Sequence, residues 1–334
     1  MSGAQSKVTM DEVARAVGVS KATVSRALMG STLIGDGVRE RVEEVAREMG
    51  YVRRAVRRPG ERGILTVKLV LPPQGRRTSQ LFYSFIDLVG GLKTGLRPAE
   101  VNILVETGGE GYVPYPHKKG GEVDAFVFAF HRPPERVLKE LEEQGAAALV
   151  LNRMVRGVRH VVSDHLDAMR QLAVHLAGRG VKGGCCFVGY EGIDDVVHGR
   201  LSGFVEGCGE AGIEFDERED LWMVEGPEEL TAAGVKEHYD AGVRCFVGVN
   251  DVAGAMVLQQ VRELGLKVPG EVRVTGCDNA PMIGLTVPRL TTVDLSMFEL
   301  AKEAGKRLYA EVIEGRQDEG PLLVGGMLLV GETT

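Results

Sequence analysis

Near the amino end, apolar residues recur every three or four positions; from residue 64 onward they gather instead into short continuous runs. The first pattern predicts helices. Val13, Ala14 and Val17 keep helical spacing, as do Val24, Ala27 and Leu28, and Gly18-Val19-Ser20 separates the two sets. Glycine suits the left-handed conformation that ends a helix, and serine suits the cap that opens one. A third stripe, Val38, Val42, Val45, Ala46 and Met49, predicts a helix over Gly37–Met49, with Gly35 and Asp36 as its cap and Gly50 as its stop. Helix, tight turn, helix is the geometry of a helix-turn-helix reader, whose second helix enters the DNA major groove. A surface hairpin inside a larger helical domain fits the spacing equally well.

The second pattern is that of buried parallel strands alternating with amphipathic helices. Ile64–Leu71, Val101–Glu106, Ala125–Ala129 and Ala147–Leu151 form one series of strands. A second comprises Val161–Ser163, Cys185–Gly189, Leu221–Val224, Cys245–Val249 and Val272–Gly276. Helices are expected near 81–96, 134–144, 166–178, 199–211, 227–241 and 252–263, with a short one near 281–285. Strict alternation implies an α/β class with parallel sheets, and this many strands divides more simply into two lobes than one sheet.

Composition narrows the function. The chain has 334 residues, 44% hydrophobic and 26% charged, as expected of a globular protein with one small and one or two larger domains. No apolar run reaches the ~18 residues of a membrane span. The first residues lack the apolar core of a signal peptide, so a cytoplasmic protein is expected. The net charge of −7 is uneven: residues 1–62 hold 12 Lys/Arg against 8 Asp/Glu, so the rest is strongly acidic. A basic head on an acidic body suits a DNA-binding unit joined to a sensor. The 5 cysteines include no Cys-x-x-Cys pair, and neither a metal site, a disulfide framework nor a cofactor is expected. No nucleophile elbow, zinc-protease motif or phosphate-binding loop is present, which leaves an enzyme poorly supported.

Thr9-x-x-Glu12-Val13-Ala14, followed by Gly18-Val19-Ser20-x-x-Thr23-Val24-Ser25-Arg26-Ala27-Leu28 and Val38-Arg39-x-Arg41-Val42 to Gly50-Tyr51, resembles the opening of LacI/GalR-type (lactose-repressor) transcription regulators. In the body, Asp124–Phe128, Val162-x-x-Asp164, Arg200-Leu201-x-Gly203-Phe204, Val249-Asn250-Asp251, Val274-x-Gly276-x-Asp278 and Pro288-x-Leu290-Thr291-Thr292-Val293 also have counterparts there. The stretches 74–80 and 108–121 fit poorly. The resemblance implies an N-terminal all-α helix-turn-helix domain and an α/β type I periplasmic-binding-protein-like domain of two doubly wound parallel-sheet lobes. Its boundaries would be 1–51 for the head and 52–62 for an arginine-rich linker. One lobe would hold 63–161 and 294–319, the other 162–293 and 320–334, with Gly326–Thr334 a final strand.

The resemblance also implies roles. DNA contacts fall to Thr9, Ser20, Lys21, Ala22, Thr23, Ser25 and Arg26, and in the linker to Tyr51, Arg53, Arg54, Arg57 and Arg58. The family's linker folds into a hinge helix whose leucine wedges the minor groove; here Pro59-Gly60 stands in that place, which fits either electrostatic binding with less kinking or an arginine-rich disordered tether. Met29 replaces an asparagine common at the end of the reading helix. Asn152, Arg200, Asn250 and Asp278 match ligand-contact positions, with Phe82 and Tyr83 after the first strand, and Trp222, as further candidates. An arginine, a carboxylate and two amides suit the hydroxyls of a sugar. Asn152 replaces a common aspartate and, with Arg153 and Arg132 nearby, opens the way to a sugar phosphate or sugar acid. The expected protein is a homodimeric repressor of a near-palindromic operator, controlled by this effector. A cytoplasmic solute-binding module with a degraded head, or a regulator that has lost its ligand, remain alternatives.

Overall fold

The computed structural model describes residues 10–28, 34–49, 64–73, 83–114, 117–118, 121–144, 146–155, 157–192, 194–316 and 320–334. Thr9, Met29, Tyr51, Arg53, Arg54, Arg57, Arg58, the Pro59-Gly60 pair and Phe82 lie outside these residues. The chain divides into two compact units, 1–63 and 64–334.

In the first unit α1 (Met10–Val17), α2 (Lys21–Leu28) and α3 (Asp36–Glu48) enclose a core of Val13, Ala14, Val24, Ala27, Val42, Val45 and Ala46. Gly18 turns the chain at φ 78°, and the Gly18 and Val19 amides both donate to the Ala14 carbonyl, at 2.9 and 3.1 Å. The Ser20 hydroxyl accepts from the Thr23 amide at 3.0 Å, capping α2. α3 opens at Gly35 without a side-chain cap; Asp36 instead pairs with Arg39, 3.2 Å away, within its first turn.

The second unit holds two parallel sheets. Its chain order begins β1 (Ile64–Leu71), α4 (Phe85–Gly95), β2 (Glu100–Thr107), the two-residue strands β3 (His117–Lys118) and β4 (Gly121–Glu122), and β5 (Ala125–Ala129). Next come α5 (Glu135–Gln144), β6 (Ala147–Leu151), β7 (His160–Ser163), α6 (His165–Gly178), β8 (Cys185–Tyr190) and α7 (Asp194–Ala211). The series closes with β9 (Leu221–Val224), α8 (Ala232–Asp240), β10 (Cys245–Gly248), α9 (Asp251–Glu263), β11 (Arg273–Thr275), β12 (Thr292–Asp294), α10 (Met297–Val312), β13 (Leu322–Val324) and β14 (Met327–Leu329). The larger sheet runs β13-β7-β6-β5-β1-β2 and the smaller β11-β10-β8-β9, while β12 and β14 form an antiparallel ribbon. Every pairing inside the two sheets is parallel.

Alternating β1 side chains explain the two cores of the larger sheet. Leu65, Val67 and Leu69 meet α4 and α10, whereas Val70 joins Phe126, Phe128, Val137 and Leu141 on the α5 side. Close backbone contact sets the helix pairs. A Cβ on Gly95 of α4 would collide with the Lys302 carbonyl of α10, and one on Gly207 of α7 would lie 2.8 Å from Ala173 of α6.

Several readings change. β2 is not buried: it is the sheet edge, with Leu104 and Val105 nearly half exposed. Among its described residues, the crossover from β2 to β5 carries only β3 and β4 and no helix to cover that strand. The short, half-exposed β13 was not expected, and the final strand is confined to Met327–Leu329. Both β7 and β13 belong to the larger sheet, so the chain leaves it after Ser163 and after Val324 rather than at 161 and 320. The segment expected as one helix over 227–241 is a short 3-10 turn, Pro227–Glu229, followed by α8.

Candidate functional site

Loops from both sheets of the second unit converge at the carboxyl ends of their strands, the usual ligand position in open α/β sheets. They enclose a cavity of about 470 Å³. Asn152 enters from the end of β6, Asn250 from the end of β10, Asp278 from beyond β11, and Arg200 from α7. The four residues that sequence singled out, three after separate strands and Arg200 at a helix, thus line one cavity.

Each is held by its neighbours. The Asn250 Oδ1 caps α9 by accepting from the Ala253 amide at 2.9 Å, and the Asn152 Oδ1 accepts from the Ser163 amide at 3.3 Å. With both carbonyl oxygens committed, the side-chain NH2 donors are what the two asparagines offer. Arg200 is 3% exposed; it donates to the Val249 carbonyl at 2.5 Å, to His165 Nδ1 at 3.3 Å, and to the Asp278 carboxylate. Burial opposes its charge, but Asp278 outweighs that penalty and keeps the guanidinium protonated. Burial pushes the Asp278 carboxyl above the usual carboxylate range, against the pull of Arg200 and Arg153. His165 is forced neutral by burial and by the two arginines, which suits the acceptor role of its Nδ1.

Backbone strain marks the same place. Phe130, Asn152, Asp278, Asn279 and Ser296 are the non-glycine residues with positive φ among those described, and all five line the cavity. Such conformations cost about 1–3 kcal/mol each and persist where the surrounding structure enforces them, typically at ligand sites.

Tyr83, expected with Phe82 as a stacking residue after the first strand, lines the cavity; Phe298, Asp87 and Asp294 were not foreseen there. Tyr83 stacks on Phe130 with ring centroids 4.2 Å apart, and with Phe298 it supplies an aromatic wall. Asp87 of α4 and Asp294 of β12 add carboxylates, Asp294 accepting from the Ser296 amide at 2.7 Å. Only the Asp294-x-Ser296 step before a helix hinted at a turn there.

Trp222 is not at the cavity. It lies on the edge strand β9, stacks on His238 at 4.7 Å, and packs against Gly234, where a Cβ would strike its ring. Arg153 lines the cavity, but Arg132 does not. Both also face Asp195 of α7, Arg153 at 3.7 Å and Arg132 at 3.4 Å. Two arginines next to the larger sheet thus grip one carboxylate from the smaller-sheet lobe. With Asp87, Asp278 and Asp294 on the wall against Arg153 and Arg200, the lining carries no cationic surplus to favour an anion.

In the first unit Lys21, Ala22 and Arg26 are exposed on α2, with Thr23 and Ser25 half-buried. The Ser20 hydroxyl is taken up by the Thr23 amide and lies 2.8 Å from the Thr23 hydroxyl.

Comparison with known proteins accounts for both units. Residues 9–54 match the bacterial regulatory proteins of the lacI family, and residues 173–334 match a periplasmic binding protein-like domain. The transcriptional repressor CytR of Escherichia coli is 27% identical over 342 residues, covering 99% of this chain and 97% of CytR. The chain thus carries a LacI-family helix-turn-helix domain followed by a periplasmic-binding-protein-like domain.

A second relative, the HTH-type transcriptional regulator CelR of Thermobifida fusca, is 27% identical over 336 residues, with 95% of each chain covered. The solved CelR–cellobiose complex superposes with a TM-score of 0.67 at 23% identity, covering 98% of this chain and all of that one. The fold is therefore the LacI-family one: helix-turn-helix head, then two parallel-sheet lobes. Among the described residues no helix is long and apolar enough to cross a membrane, and no group of three or more His, Cys, Asp or Glu could hold a metal ion.

Proposed function

We propose that this LacI-family chain is a cytoplasmic transcriptional repressor that binds a near-palindromic operator as a homodimer and responds to a sugar-class effector held between its two lobes. The observation that carries the effector half is the coincidence of strain, amide donors and an aromatic wall in one cavity. Hydroxyls of a sugar would donate to Asp278 and Asp294 and accept from Asn152 and Asn250, while Tyr83 and Phe298 cover an apolar ring face. A neutral sugar fits this wall better than a sugar phosphate or sugar acid.

Ligand control needs two states that the ligand tells apart. The segments following β7, β12 and β13 join the lobes, and Asp195 reaches from α7 to Arg153 and Arg132 on the other side. A ligand wedged beside Arg153 alters that grip and hence the lobe angle. Dimerisation would cover Ile86, Leu285 and Val287, which are 82%, 86% and 67% exposed and stand in sequence beside or near Asp87, Gly284 and Arg289 of one groove. No catalytic role is assigned to any residue.

A thermal-shift screen of the full chain against sugars and sugar derivatives, followed by operator binding with and without each hit, tests the proposal. The expected result is a stabilising sugar whose effect Asn250→Ala abolishes and which changes operator affinity. Stabilisation that survives Asn250→Ala, or that leaves operator affinity untouched, refutes it.

A further inference from the structure

Lys21 opens the reading helix, yet its ammonium is not free. It lies 2.9 Å from the Asp11 carboxylate of α1, with the two side chains 60% and 55% exposed. A carboxylate beside the first residue of a helix that meets a polyanion is chemically conspicuous: left unpaired, it would repel the phosphates. Paired, it cancels one of the two exposed cations, Lys21 and Arg26, that α2 presents. A free lysine, with four rotatable bonds, can swing to whatever phosphate is nearest on any sequence. One held by Asp11 stays at the amino end of α2, the end from which the side chains of a reading helix meet base edges.

Building on the regulator reading above, we propose that Asp11 is a specificity-determining residue of DNA recognition. It withholds Lys21 from non-specific phosphate contact and aims it at a base edge. The effect acts on the ratio of specific to non-specific binding more than on operator affinity itself. A non-specific complex of roughly 10⁵ M⁻¹ built from about eight phosphate contacts makes each contact worth about fourfold.

The test is a double-mutant cycle on the full chain with Asp11→Asn, Lys21→Met and the double variant. Binding is measured by fluorescence anisotropy on random-sequence DNA and on an operator selected by the unmodified protein, between about 50 and 200 mM salt. Because the pair is exposed, circular dichroism should show all three variants folded. Asp11→Asn is expected to raise affinity for random DNA about fourfold and steepen the salt slope by about one, the yield of one added phosphate contact. Operator affinity should change less, so discrimination falls, and in the Lys21→Met background the gain should vanish. An Asp11→Asn effect that is absent, or equally large without Lys21, overturns the proposal. An unmodified chain that selects no sequence overturns the regulator reading itself, whereas one that selects an operator while the cycle is additive overturns only the role of Asp11.

Discussion

Replacing Arg200 by methionine keeps most of the side-chain volume and removes the charge, so it isolates what the buried ion pair does. Three groups lose a donor at once: the Asp278 carboxylate, the Val249 carbonyl and His165 Nδ1. Breaking a buried pair from one side costs about 3–5 kcal/mol, because the remaining charge has neither water nor partner. Against a total stability of about 5–15 kcal/mol that is a large share, and it corresponds to a fall in melting temperature of roughly 10 °C. The deficit depends on pH with a definite sign. Asp278 already titrates above its unfolded value, and loss of Arg200 raises it further. A group whose folded pKa is raised contributes stability below its unfolded pKa and loses it as pH rises through the folded one. The Arg200→Met protein should therefore be closer to the unmodified protein at pH ~5 than at pH ~8. Adding Asp278→Asn should recover about 2 kcal/mol at the higher pH by removing the stranded charge. Urea unfolding followed by Trp222 fluorescence measures all of this, since the chain's one tryptophan packs in the same lobe as Arg200. A cost below about 1 kcal/mol, no pH dependence and no rescue by the second substitution would together falsify the ion-pair account.

Two further outcomes follow from buried contacts. Burial, reinforced by Asp278, pushes the Asp251 carboxyl up to about 8 despite its bonds from the Thr292 hydroxyl (2.5 Å) and the Ala280 amide (2.6 Å). By the same sign rule, stability should decline as pH rises from about 5 to 8, by at most about 1.4 kcal/mol per pH unit. Asp251→Asn should flatten the decline in parallel urea titrations, and an unchanged slope rules Asp251 out as its source. Between α4 and α10, Gly95→Ala drives a Cβ into the Lys302 carbonyl and should cost about 3 kcal/mol or more, as overpacking against backbone does. Gly90→Ala meets only Phe298 ring carbons at 3.6 and 3.8 Å and should be neutral or stabilising by up to about 1 kcal/mol through helix propensity. Equal melting temperatures for the two variants would contradict that packing.

The elements most legible in the sequence are those that bury both faces. Ala125–Ala129 and Ala147–Leu151 form strands over the ranges their apolar runs predict, because a strand flanked on both sides has no use for alternation. The reading helix was legible through its turn chemistry, Gly18 and Ser20 each doing locally what their residue types favour. β2 misled because Val101–Val105 is apolar enough for a core strand, and only the missing cover on its crossover shows that it is an edge. Trp222 misled for a related reason: proximity to a strand end does not say which neighbour a side chain packs against, and Gly234 and His238 claim it.

The cavity divides along the same line. Asn152, Asn250 and Asp278 were visible because each stands at the end of a recognisable strand, where a polar residue interrupts an apolar run. Phe130 was equally well placed, one residue beyond β5, but its role depends on backbone geometry rather than residue type. At φ 63° it is held in a conformation that a bulky residue seldom adopts, and there it stacks with Tyr83 from a different segment, 4.2 Å away. Ser296, at φ 44°, turns the chain into α10 beside Asp294 without capping the helix through its own side chain. Neither conformation is favoured locally, so each is imposed by tertiary contacts that no short stretch of sequence encodes. Asparagine and aspartate tolerate positive φ; phenylalanine and serine do not have that excuse, which makes their strain the stronger evidence that the cavity is a working site.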